Sequence, residues 1–305
     1  EKIELSNNYF WVSSEGLYGI YNRYGSTIIP CRYEQIELTD RCFYVCRDRL
    51  QGVYNRYGSV IIPCQFSQIE CKDNAYYVTK GKYQGIYNLY GSVIIPTQYT
   101  SIYKEGGKYL VENDSLKGIV NAYGSTVIPC KYNTIEYEDG VYYVSAGGKY
   151  GIYNTSTILP CRYSSIRKEG RQYLVENNGL QGIVNTYGST IIPCRYNKIQ
   201  QEGNIYYVTA NGKKGIFNRY GSTIIPCQYD EIISLGHRYI VKRDKKFGVY
   251  NQYGSTILPC QFQKIECLNN GHYVTTRDKS QQVYNAYGAL LENRTNMKVV
   301  FSTED

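Results

Sequence analysis

Every proline of this chain falls at the same place in a recurring block of about 33 residues: Pro30, Pro63, Pro96, Pro129, Pro160, Pro193, Pro226 and Pro259. Each closes a motif of the form Gly-(Ile/Val)-(Tyr/Val/Phe)-Asn-x-Tyr-Gly-Ser-x-(Ile/Val)-(Ile/Leu)-Pro-Cys. The first glycine of the motif recurs at Gly19, Gly52, Gly85, Gly118, Gly151, Gly182, Gly215 and Gly248, at intervals of 33 except for the 31 that separate Gly151 from Gly182. A chain whose prolines all do one job is an array of one supersecondary unit. Such a unit cannot bury its apolar face alone and is stabilised by stacking on its neighbours. Periodicity therefore outweighs the two-domain expectation that 305 residues would otherwise carry. We expect one tandem array over residues 1–283, about eight full units with a partial N-terminal unit, followed by a degenerate C-terminal cap at 284–305.

Each repeat reads as three short strands. The first is Gly19 to Asn22 and its copies, and the second runs from Thr27 toward Ile36. The third is marked by Phe43-Tyr44-Val45, Tyr76-Tyr77-Val78, Tyr109-Leu110-Val111 and their successors, β-branched and aromatic clusters bounded by Gly, Asn, Asp and Ser. Helical periodicity is absent. Asn22-Arg23-Tyr24-Gly25-Ser26 and its copies form a hairpin tip, because asparagine can start a turn by bonding its own backbone and glycine takes the positive φ that ends it. Proline has no amide donor, so the second strand is expected to break or bulge at Pro30 and there to pass into the next sheet. Repeat five loses its Tyr-Gly pair (Asn154-Thr155-Ser156-Thr157), which places the tip at the surface.

The ends are irregular. Glu1–Leu5 aligns with Glu34–Leu38, so the chain opens inside a repeat, and the native beginning is expected upstream. At the other end Gln282 replaces the motif glycine, Ala289 replaces Ser, and Leu290-Leu291-Glu292 lacks Pro-Cys. Terminal repeats decay in this way because their outer face meets water. Val299-Val300-Phe301 would supply a closing strand. A longer duplication, Lys104–Asn113 returning as Lys168–Asn177, shows repeats copied in pairs and hence interchangeable interfaces.

With 42% hydrophobic and 20% charged residues, 29 Gly and 37 Tyr, the composition suits an ordered soluble fold and not disorder. No apolar run approaches the roughly 18 residues of a spanning helix. The net charge of +8 is spread along the chain, which argues against a dedicated nucleic-acid surface; the densest run, Lys242–Lys246, reads as a solvated loop. Of 11 cysteines, Cys31, Cys64, Cys130, Cys161, Cys194, Cys227 and Cys260 follow the prolines, with Thr97 in the remaining copy, and read as buried small packing residues. Cys42, Cys46, Cys71 and Cys267 lie outside the period and could pair locally. The odd total, without Cys-x-x-Cys spacing, leans toward a reducing compartment without excluding export.

The stretch Tyr18-Gly19-Ile20-Tyr21-Asn22-Arg23-Tyr24-Gly25-Ser26-Thr27-Ile28-Ile29-Pro30-Cys31-Arg32-Tyr33 resembles the WG-containing β-repeat, also called the KWG repeat. That pattern is roughly Trp-Gly-Tyr-Ile-Asp, a further Gly, and a β-rich stretch ending in Pro and then Tyr. The tryptophan position holds Tyr18, Gln51, Gln84, Lys117, Tyr150, Gln181, Lys214 and Phe247 here. The resemblance implies an all-β, non-catalytic interaction module with no catalytic residues to carry over.

Chemistry-bearing residues are sparse. His237 and His272 occupy equivalent places before the third strand without a cysteine or carboxylate at ligand spacing, so they read as strand-edge residues. There is no nucleophile motif, phosphate loop or singular carboxylate pair, and the chain reads as a non-enzyme without cofactor or metal. Candidate ligand-binding residues are the tip tyrosines Tyr24, Tyr57, Tyr90, Tyr123, Tyr187, Tyr220 and Tyr253, with Tyr287 in the last tip, since a periodic row of rings suits a periodic polymer. Packing between repeats is the competing and favoured reading of those rings. The residue after each cysteine, from Arg32 to Gln261, is long and polar and reads as solvent-facing. Asn113, Asn154 and Asn293 are acceptor sites for glycosylation if the protein is exported.

These readings converge on an all-β array of three-stranded repeats stacked as an open β-solenoid or superhelix, with a closed β-propeller of eight or nine small blades as the alternative. The function expected is a structural or protein-interaction scaffold whose periodic interfaces favour self-assembly into filaments. The alternative is a carbohydrate- or polymer-binding module built on the tyrosine tips.

Overall fold

The computed structural model describes residues 2–278 and 280–294, and every regular element in them is a β-strand. The closing strand expected at Val299–Phe301 lies outside the described residues. The chain divides into two compact units, one comprising Glu1–Gly148 with Ile152–Thr157 and the other Lys149–Gly151 with Ile158–Asp305.

The strands form nine antiparallel sheets in tandem, each a four-stranded meander in chain order. The first contains β1 (Lys2–Ser6), β2 (Tyr9–Ser14), β3 (Leu17–Asn22) and β4 (Thr27–Tyr33). The second contains β5 (Gln35–Leu38), β6 (Cys42–Arg47), β7 (Leu50–Asn55) and β8 (Val60–Phe66), and β9 (Gln68–Lys72) opens the third. The all-β tandem repeat expected from the sequence is therefore present, but with four strands per sheet. The run from Thr27 to Ile36 is two strands of two different sheets. It breaks at Glu34 and not at Pro30.

Pro30 is accommodated inside β4 by a bulge. Tyr18 pairs with Tyr33 and Ile20 with Ile29, so Gly19 alone stands opposite Pro30, Cys31 and Arg32. Proline belongs where the ladder is already interrupted. The opposing glycine is required by space: a Cβ on Gly19 would sit 2.7 Å from the Cys31 backbone nitrogen, and one on Gly52 2.8 Å from that of Cys64. The cysteines are half-buried and not fully buried as expected. Their thiols have a specific job, since Cys31 donates to the Leu17 carbonyl at 3.2 Å, Cys64 to Leu50 at 2.8 Å and Cys194 to Leu180 at 2.7 Å. A weak donor thus satisfies a carbonyl beside the interrupted ladder. None of the eleven cysteines, all among the described residues, is in a disulfide.

The passage from sheet to sheet takes one residue. Glu34, Ser67, Thr100, Asn133, Ser164, Asn197, Asp230 and Gln263 each donate a backbone N–H to the second strand of the sheet they enter. Their side chains latch onto that same sheet in two chemical ways. The hydroxyls of Ser67, Thr100 and Ser164 donate to the carbonyls of Thr79, Glu112 and Glu176, each at 3.0 Å. The oxygens of Asn133, Asn197 and Asp230 instead accept the N–H of Gly147, Asn211 and Asp244 in the turn between the second and third strands.

The core lies between consecutive sheets. In the first unit, Ile20, Ile29 and Tyr33 meet Phe43, Val45 and Tyr54 of the next sheet; in the second unit, Ile183, Ile192 and Tyr196 meet Ile199, Tyr206, Val208 and Phe217. Each buried aliphatic side chain contributes about 1.5–3 kcal/mol. Tyr33 and Tyr54 pack edge to face at 5.9 Å with hydroxyls 2.7 Å apart, a geometry worth about 0.5–1.5 kcal/mol beyond area. At the position occupied by tryptophan in the family the chain resembles, Gln51, Gln84 and Gln181 accept the backbone N–H of Ile69, Ile102 and Ile199 in the following sheet. Those three isoleucines are buried, whereas Ile36, Ile135, Ile166, Ile232 and Ile265, which follow other residues, are only half-buried.

Candidate binding site at the hairpin tips

Each tip is built around its asparagine. The Asn55 side-chain oxygen accepts the N–H of Tyr57 and of Ser59, both at 2.9 Å, while the Asn55 N–H bonds the Ser59 carbonyl and Gly58 N–H bonds the Asn55 carbonyl. The same cage forms at Asn22, Asn88, Asn121, Asn185, Asn218, Asn251 and Asn285. Asparagine folds back on its own turn in this way because its short amide reaches two backbone donors.

The glycine of each tip answers two demands. It has a positive φ, +88° at Gly91, which other residues adopt at a cost. From the second tip onward it also touches the preceding sheet: a Cβ on Gly91 would lie 2.2 Å from the Ile61 carbonyl oxygen, and one on Gly221 2.1 Å from that of Ile191. The tip is thus anchored on its neighbour through glycine while its tyrosine points away.

Those tyrosines are exposed. Tyr24, Tyr57, Tyr90, Tyr123, Tyr187, Tyr220, Tyr253 and Tyr287 have between 70% and 91% of their surface accessible. The packing reading favoured on sequence is overturned, because rings held between repeats would be covered. The packed tyrosines are others, such as Tyr33, Tyr76, Tyr173 and Tyr206.

In the first unit Tyr57 and Tyr90 both line one groove of about 550 Å³. Its floor is Ile61, Tyr76 and Leu89, and its rim holds Asp40, Arg41 and Arg56. Arg56 donates to the Thr39 carbonyl at 3.2 Å, which turns its side chain toward the loop before β6. Neither Arg41 nor Arg56 forms an ion pair among the described residues. Sequence reasoning found the rings and missed the arginines. Arg41 lies in a turn that does not follow the repeat consensus, and only the meander brings that turn to the end of the sheet where the tips stand.

Other candidates are not assembled into a site. His237 is exposed and its Nδ1 lies 2.7 Å from the Gln252 amide oxygen, while the His272 N–H donates to Asn270. The Lys242–Lys246 run is a hairpin, not a loop, with Asp244 and Lys245 at positive φ and Lys242 ion-paired to Glu231 at 3.8 Å. Asn154 and Asn293 are exposed and Asn113 is half-buried. Of the residues after each cysteine (Thr97 in one copy), Arg32, Gln98, Lys131, Arg162 and Arg195 are exposed as expected, whereas Gln65, Gln228 and Gln261 are half-buried; Arg32, Lys131, Arg162 and Arg195 each lie over the ring of the tyrosine that follows. Among the described residues no cluster of His, Cys, Asp and Glu is placed to hold a metal ion, and no helix is long and apolar enough to cross a membrane.

Comparison with curated proteins finds no match. Among solved structures the chain is similar to a eukaryotic initiation factor, with 9% identity over 95% of this chain and 96% of that one and a TM-score of 0.25. It is also similar to PorZ, a surface component of the type-IX secretion system of Porphyromonas gingivalis, with 8% identity over 98% of this chain and 52% of that one and a TM-score of 0.22. The WD40 β-propeller domain of Doa1 shares 10% identity over 72% of this chain and 95% of its own, with a TM-score of 0.21. Likeness at this level carries no argument about function. The sequence family gives a sharper result: residues 118–150, one full period from a motif glycine to the residue before the next, match the model of the WG containing repeat.

Proposed function

We propose that the protein is a non-catalytic interaction scaffold that presents its caged tyrosines to a binding partner. The observation that carries this reading is the exposure of every tip ring on a backbone fixed by asparagine. Large rings held out of the core lose little conformational freedom on binding, which is why tyrosine is favoured in recognition surfaces. Repetition of the tip adds avidity, since a partner engaged at one tip meets the next at high effective concentration.

The test compares three forms of the chain in partner capture: the native form, one with Tyr57, Tyr90 and Tyr123 changed to serine, and one altered at Arg49 and Ser115 in the turns at the opposite end of the sheets. Loss of a captured partner in the tip variant alone supports the reading. Capture that survives the tip changes removes it.

A further inference from the structure

Resting on the tip-surface reading above, we infer that the groove between Tyr57 and Tyr90 binds an acidic polysaccharide, with sugar rings against the two tyrosines and a uronate carboxylate against Arg41 and Arg56. Three observations point to this chemistry. The groove has an apolar floor of Ile61, Tyr76 and Leu89 between two exposed rings, which suits the C–H faces of pyranose rings. Its rim carries two guanidinium groups without ion-pair partners against a single carboxylate, Asp40, so the charge left over is positive and matches an anionic ligand. The tip recurs in consecutive sheets of the first unit, at Tyr24, Tyr57, Tyr90 and Tyr123, and stacked sheets lie about 10 Å apart. A polysaccharide repeats its chemistry along its length, so one chain can meet successive tips in the same way. A polypeptide of ordinary sequence cannot.

Arginine suits this role better than lysine because its planar fork meets a carboxylate with two parallel hydrogen bonds. Only this sheet has arginine in both places: Arg23 and Arg219 at other tips and Arg171 in another turn stand without the second, and the next two sheets have Asn74 with Leu89 and Gly107 with Ala122. The site is therefore the strongest point of a row, where an acidic chain first settles before its neutral faces reach the later rings.

The experiment measures binding of the purified full chain to oligogalacturonate by titration calorimetry, with cello-oligosaccharide and poly-L-glutamate as comparison ligands. Binding of oligogalacturonate is expected, weakening at least about tenfold in Tyr57→Ala/Tyr90→Ala and by about tenfold in Arg41→Gln/Arg56→Gln. These side chains are exposed, and an unchanged circular dichroism spectrum with an unchanged melting midpoint confirms that each variant is folded. Poly-L-glutamate bound as tightly as oligogalacturonate and indifferent to the tyrosine changes would overturn the proposal in favour of simple charge attraction. Cello-oligosaccharide bound equally well, with the arginine variant unaffected, would overturn the acidic assignment, and so would failure to bind oligogalacturonate at all. Failure of glycan binding alongside tip-dependent capture of another partner removes this inference and leaves the scaffold reading intact; loss of both removes both.

Discussion

The side-chain oxygen of Gln51 accepts the backbone N–H of Ile69 at 2.7 Å, joining the third strand of one sheet to the first strand of the next. A part-buried amide is thereby satisfied by a residue at the position where the family the chain resembles has tryptophan. Removing the acceptor leaves that N–H without a partner, which costs about 1 kcal/mol or more. Gln51→Ala should lower the urea midpoint and speed hydrogen exchange of the Ile69 amide. Lys117→Ala, at the same place in a repeat where no such bond forms, should do neither. Equal effects of the two changes would show that the glutamine bond is incidental.

The tip glycines separate backbone conformation from packing. Gly25 has a φ of +78° and nothing near a would-be Cβ, whereas Gly91 has a φ of +88° and the Ile61 carbonyl oxygen in the way. Gly25→Ala should cost about 1–2 kcal/mol, the usual penalty of left-handed backbone for an L-residue. Gly91→Ala should cost clearly more and should open the adjacent tip to limited proteolysis. Matching unfolding midpoints for the two variants would contradict the close approach.

Alkaline pH should destabilise the fold. Burial pushes the thiols of Cys64, Cys130, Cys194, Cys227 and Cys260 up, and pushes the hydroxyls of Tyr77 and Tyr229 up to about 12. Because each folded value lies above the unfolded one, the unfolded chain loses these protons first. Their contribution is complete below the unfolded thiol value, about 8.5, and declines as pH rises through the folded values. The urea midpoint, measured from pH 7 to pH 10.5, should be level at first and then fall. A midpoint that stays constant over that range would refute the assignment.

Much of the fold was legible in the residues. The proline register and the Tyr-Tyr-Val clusters located strands correctly because both report local backbone chemistry. The break in the run from Thr27 to Ile36 was misplaced because a missing amide donor at Pro30 is compatible either with a break or with a bulge. What decides between them is Gly19 on the opposite strand, whose lack of a side chain lets the bulge close. The tip tyrosines were identified as candidates, but their exposure depends on how Gly58 and its counterparts seat on the preceding sheet. The link from Gln51 to Ile69 was not legible, since its partner is a backbone amide that any residue would supply. Arg41 escaped notice for a related reason: its neighbours in the groove come from other strands and another sheet.

A passage of one residue between sheets, as at Glu34 or Asn197, leaves no slack in the thread. Adding or deleting residues there would pull apart either the sheet just completed or the one about to start, so natural length variation has to fall in the turns, as the shortened tip at Asn154 does, or come as a whole period. Genes for such chains can then lengthen or shorten by unequal recombination between copies, and each successful event hands the protein another complete sheet already in register with those on either side.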